Sequence, residues 1–132
     1  METVDIEVKR ASLDFNEVLE QFVIDCQLRG LSEKTIIGYK SCISTFMNFL
    51  SRKGLSLRDV DNQVLKEFLG YLKFKRKVKH KTVKEYFSAL SALYDYLAFE
   101  GKAKSNIILP FRKRYLRQYK DDFEDPQRKL LS

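Results

Sequence analysis

LSEKTIIGYKSCISTFMNFLSRKG, residues Leu31 to Gly54, reads as one complete helix with both ends marked. Ser32 is a good N-cap, because its hydroxyl can accept from backbone N–H groups left free in the first turn. Leu31, just before it, can staple the start with an apolar contact. Gly54 stands where a left-handed C′ residue belongs, and Arg52 and Lys53 set positive charge at the negative end of the helix dipole. Ile36, Ile37, Tyr39, Ile43, Phe46, Met47, Phe49 and Leu50 make a broad apolar face at helical spacing. The opposite stripe is Lys34, Gly38, Ser41, Cys42 and Thr45. A cation followed by small side chains lets a phosphate approach closely, and the same small residues also suit tight helix–helix packing.

The pattern recurs 47 positions later. Lys34 falls on Lys81, Thr35 on Thr82, Tyr39 on Tyr86, Ile43 on Leu90, Phe46 on Leu93, Leu50 on Leu97 and Gly54 on Gly101. A structural pseudo-repeat and a chance likeness of two amphipathic helices both remain open at this point.

Working outward, Phe15, Val18, Leu19, Phe22, Val23 and Cys26 predict a helix from about Phe15 to Arg29, capped by Ser12 or Asp14 and stopped by Gly30. The link of about two residues makes it a neighbour of the second helix. After Gly54, LSLRDV (Leu55 to Val60) is too short for a helix with its own core. Asp61 caps a third helix from Asn62 to about Phe74, with Val64, Leu65, Phe68, Leu69, Tyr71 and Leu72 inward. Gly70 weakens it by about 1 kcal/mol relative to Ala, in exchange for close helix packing. Lys73, Lys75, Arg76, Lys77, Lys79, His80, Lys81 and Lys84 then follow within twelve residues, with no acid among them. Like charges this dense predict a loop. A fourth helix runs from Lys81 or Thr82 to Gly101, with Val83, Tyr86, Phe87, Leu90, Leu93, Tyr94 and Leu97 inward. A second basic segment holds Arg112, Lys113, Arg114, Arg117 and Lys120, interleaved with Tyr115 and Tyr119.

No alternating stretch or tight hairpin turn predicts a strand. The expected fold is all-α: four principal helices in two hairpins plus a short C-terminal helical segment. Residues 1–12 read as a flexible arm, 13–110 as the domain, and 111–132 as a basic-then-acidic linker.

The chain has 132 residues, of which 44% are hydrophobic, enough for a single core. No apolar run approaches the roughly 18 residues of a membrane span, and the acidic N-terminus is not a signal peptide. A cytoplasmic protein is expected, with Cys26 and Cys42 reduced and behaving as small apolar residues. The net charge of +7 is uneven. Residues 71–120 carry 14 Lys/Arg against 3 Asp/Glu, whereas 1–70 carry 9 against 11. Such a block suits a polyanion partner, and a merely solvated cationic surface is the plainer alternative.

Enzyme chemistry is hard to place. His80 is the single imidazole, there is no Gly-rich phosphate loop, and no Cys/His cluster has metal spacing. A serine nucleophile would lack a base. No catalytic residue, metal, cofactor or small-molecule substrate is therefore expected. What is left is a binding surface: helix starts attract phosphate, and two starts carry Lys-Thr. If both faced one way, they would form a positive concavity as wide as a DNA duplex, with Lys40, Ser41, Lys84 and Ser88 reaching into a groove.

GLSEKTIIGYK (Gly30–Lys40), KTVKEYFSALSALYDYL (Lys81–Leu97) and GKAKSNII (Gly101–Ile108) together resemble the N-terminal core-binding, or SAM-like, domain of tyrosine recombinases, the phage-type and Xer-like integrases. The likeness covers about residues 14–110. Ile107 departs from it where the family has Pro after Asn106. The resemblance implies two helical hairpins crossing near a right angle and clamping double-stranded DNA, with no membrane. It also implies a cytoplasmic, nucleoid-associated setting in a prokaryotic host. The DNA-facing residues it implies are Lys34, Thr35, Gly38, Ser41 and Cys42 on the second helix, and Lys81, Thr82, Lys84 and Ser88 on the fourth. Lys77, Lys79, His80, Arg112 and Arg114 lie on the adjoining basic segments. The family's catalytic arginines, lysine, histidines and tyrosine find no counterpart: His80 is followed by Lys81-Thr82-Val83, so there is no H-x-x-R. RKLLS (Arg128–Ser132) resembles the junction with a catalytic domain, so the expectation is a binding piece of a longer recombinase. Alone it should be a monomer, assembling on DNA only in the full-length parent. A helical protein-interaction module docking an acidic partner through the basic surface is the alternative.

Overall fold

The computed structural model describes residues 14–117, and within them it is helical, with no strand. Helix α1 spans Phe15–Leu28, α2 Glu33–Lys53, α3 Asn62–Gly70, α4 His80–Phe99 and α5 Ile108–Arg112. Both α3 and α5 continue into one π-helical turn, Tyr71–Lys75 and Lys113–Arg117. A single 3-10 turn, Leu57–Asp59, fills the link after α2 and is closed by a Ser56/Asp59 capping box.

Local chemistry accounts for the ends. Asp14, Ser32 and Asp61 accept from first-turn amides of α1, α2 and α3, as N-caps do. Gly54 adopts φ +72°, and its amide and that of Leu55 reach back to the Ser51 and Leu50 carbonyls at 3.0 and 2.9 Å. That geometry terminates α2 and requires a residue that tolerates positive φ. Gly101 ends α4 in the same way, its amide on Ala98 and that of Lys102 on Leu97.

The two long helices, α2 and α4, make the most extensive interhelical pairing. The 47-residue correspondence extends to burial: Ile36 and Val83, Ile43 and Leu90, Phe46 and Leu93, Leu50 and Leu97 are all in the core. Phe68 of α3 stands at the centre. Its ring is 4.9 Å from Phe46, 5.1 Å from Phe49, 5.9 Å from Phe87 and 6.0 Å from Tyr86, centroid to centroid. A second cluster joins α1 to both long helices, with Phe22 at 6.1 Å from Tyr39 and 5.8 Å from Tyr96. The core continues past Pro110: Phe111 and Leu116 are buried, and Phe111 stacks on Phe87 at 5.3 Å. Asn106 latches this end, donating to the Ser91 carbonyl at 2.9 Å and accepting from the Ile108 amide at 3.0 Å.

Four sequence-based expectations change. Ile37 is not inward: it is 60% exposed, because one helical step from Ile36 turns it off the core face into the α1–α2 groove beside Val23 and Gln27. Gly70 makes no close helix contact, since a Cβ there would meet only the Phe74 ring at 3.8 Å. The α-helical part of α3 ends at Gly70 rather than at Phe74. The basic run is also not all loop, because Lys73 and Lys75 lie in the π turn and Lys81 and Lys84 within α4. Packing of Leu72 and Tyr71 into the core overrides the repulsion among those cations.

Tyr94 ties α4 to the 3-10 turn, its hydroxyl donating to the Leu57 carbonyl at 2.7 Å. Burial holds that phenol protonated far above its ordinary range. Tyr94→Phe strands a buried carbonyl and should cost about 1–3 kcal/mol. Urea unfolding that leaves the free energy unchanged would contradict this bond.

Candidate nucleic-acid interface

The two Lys-Thr helix starts differ. At α2, Ser32 caps the helix: its Oγ accepts from the Thr35 amide at 3.1 Å and donates to the Thr35 hydroxyl at 3.0 Å. Thr35 is therefore engaged in the cap. Glu33 precedes the exposed Lys34, so this start is close to neutral. At α4, Lys79 offers no side-chain cap and the first turn holds no acid. Lys77, Lys79 and Lys81 are exposed there, while Thr82, Lys84 and Ser88 are half-buried. Lysines at a helix N-terminus oppose the macrodipole. An incoming anion would meet both the free end of the helix and the ammonium groups.

The electrostatics show these cations converging. Burial lowers the His80 imidazole below its ordinary value, and the charges of Lys84 on α4 and Lys73 on the π turn lower it further. The neutral form of His80 is thus favoured, with cations from two elements near it. Lys77, at φ +54°, is the non-glycine residue in the left-handed region among those described, and it turns the chain from the π turn into α4.

The contacts do not set the two starts side by side. Through Phe22, Tyr39 in the first half of α2 is linked to Tyr96 near the end of α4. Through Phe68, Phe46 and Phe49 in the second half of α2 are linked to Tyr86 and Phe87 near the beginning of α4. What faces the α4 start is therefore the middle of α2. Burial raises the Cys42 thiol, and the nearby Glu85 carboxylate raises it further. Of the stripes Gly38, Ser41, Cys42 and Lys81, Glu85, Ser88, Cys42 and Glu85 are brought near each other. Gly38 and Ser41 are exposed, and a Cβ on Gly38 would meet nothing within 4 Å. Gly38 is thus not there for helix packing, whereas Cys42 packs against the core rim. Lys40 points the other way, into the α1–α2 groove. Arg112, half-buried, and Arg114, exposed with its guanidinium 5.6 Å from the Tyr115 ring, lie on α5 and its continuation. Tyr119 and Lys120 lie outside the described residues.

Two side chains that matter here are not marked as such by the sequence. Glu85 sets an acid near Cys42. Phe74 stands at the expected end of the third helix and is 76% exposed. Among the described residues, no group of three or more His, Cys, Asp and Glu could hold a metal ion. No helix among them is long and apolar enough to cross a membrane.

The described residues form a five-helix body with cations near one helix start that lacks a side-chain cap. The chain belongs to the phage integrase N-terminal SAM-like domain family, whose model matches residues 18–100. Searches of curated proteins and of solved structures returned no match.

Proposed function

We propose that this domain binds double-stranded DNA through the start of α4, the π turn of α3 and the small-residue stripe of α2. In this reading it holds one face of a DNA site for strand exchange carried out by the catalytic domain of a tyrosine recombinase. The observation that carries the reading is the convergence of Lys73 and Lys84 on His80 beside an α4 start that has neither a side-chain cap nor an acid in its first turn. A polyanion relieves the repulsion among these cations and complements the helix dipole together. The exposed Gly38 and Ser41 leave room for a phosphate backbone to approach α2. Glu85 would face base edges rather than phosphate, where a carboxylate can accept from the amino group of cytosine.

Fluorescence anisotropy of a labelled duplex over a salt series tests the reading. If about four phosphates are neutralised, the association constant falls by roughly 3.6 decades per decade of salt, and so roughly a hundredfold between 50 and 200 mM. Weak binding that is indifferent to salt would overturn it.

A further inference from the structure

We propose that Phe74 is a wedge that contacts the bases of duplex DNA while the surrounding cations hold the phosphates; this rests on the DNA-binding reading above. The ring is 76% exposed, yet the turn that carries it is firmly held. Leu72 is fully buried, Tyr71 stacks on Phe68 with centroids 6.1 Å apart, and the Arg76 amide bonds the Tyr71 carbonyl five residues back at 3.0 Å. Leu72 and Phe74, two residues apart, fall on opposite sides of the turn, so the buried Leu72 anchors the segment from which the ring projects. Single π turns of this kind recur at functional sites. The Val78 amide on the Leu72 carbonyl, at 3.1 Å, closes the segment.

The surroundings select the partner. Lys73, Lys75, Arg76 and Lys77, the neighbours of Phe74 in sequence, are all exposed. The other exposed phenylalanine among the described residues differs: Phe99 lies between Asp95 and Glu100 in sequence. An apolar ring flanked in sequence by four exposed cations matches a partner with negative charge outside and flat apolar surface within reach behind it. Duplex DNA has that construction, and apolar side chains inserted at base steps between phosphate-bound cations are an established mode of contact.

The sequence contains no tryptophan, so Phe74→Trp introduces a single fluorophore at the tip. Because the site is exposed, this variant and Phe74→Ala should melt with the wild type. On duplex addition the tryptophan emission is expected to be quenched by base contact, and heparin, a polyanion without bases, should leave it unquenched. Phe74→Ala should bind duplex about tenfold more weakly, in the range of base–aromatic contacts, with the slope of affinity against salt unchanged because no charge is lost. Equal quenching by heparin, or Phe74→Ala binding within about twofold of wild type, would overturn the wedge and leave the cationic interface standing. A wild-type chain that fails to bind duplex at low salt would remove both.

Discussion

Phe68→Ala is expected to destabilise the domain by about 3–5 kcal/mol, the range for removing a fully buried Phe. The site cannot collapse around the loss, because the ring packs with aromatic partners from two other helices and a turn: Phe46 and Phe49 on α2, Tyr71 on the turn after α3, and Tyr86 and Phe87 on α4. Domains of this kind are stable by roughly 5–15 kcal/mol in total, so the variant loses a large fraction of its stability. Phe68 also stands behind the first turns of α4 and the π turn, the platform for the cations around His80. Chemical denaturation followed by far-UV circular dichroism should show the lower midpoint, and Phe68→Leu, which retains much of the apolar volume, should cost less. A midpoint for Phe68→Ala within error of wild type would mean that the three helices do not converge on this ring.

The second large effect concerns binding. Reversing Lys81 and Lys84 to Glu changes the local charge by four and should abolish measurable duplex binding, by at least about a hundredfold near 100 mM salt. Losing two phosphate contacts reduces the salt slope by roughly 1.8. The same double variant should not be less stable. Lys81 lies in the first turn of α4, where a carboxylate suits the helix dipole and contributes about 0.3–1 kcal/mol at an exposed position. The change also relieves the repulsion that Lys84 shares with Lys73 around His80. Lost binding together with unchanged or raised stability separates a functional surface from a structural one, because lysines kept for folding would show the reverse. Duplex affinity that survives the double reversal moves the contact to Arg112 on α5 and Arg114 on the turn after it, or to Lys34 on α2.

The sequence by itself determined the principal helices and those of their ends that carry a cap or a glycine, though not the end of α3. Ser32, Asp61, Gly30, Gly54 and Gly101 act on backbone groups within five positions of themselves, and the apolar spacing of Val83 through Leu97 is legible for the same reason. The family pattern was also legible, because it consists of these same local marks. Tertiary structure alone decided what lies beside what. The middle of α2, not its start, meets the beginning of α4, because Phe68 and Phe22 fix which rings are shared between them. Glu85 thereby comes beside Cys42, Lys73 beside His80, and Ile37 falls outside the core. Phe74 lies two positions from the inward Leu72 and so off the apolar stripe, and tertiary structure adds the hold on its turn, through the burial of Leu72 and the packing of Tyr71. That hold depends on distant residues, and no local pattern encodes it.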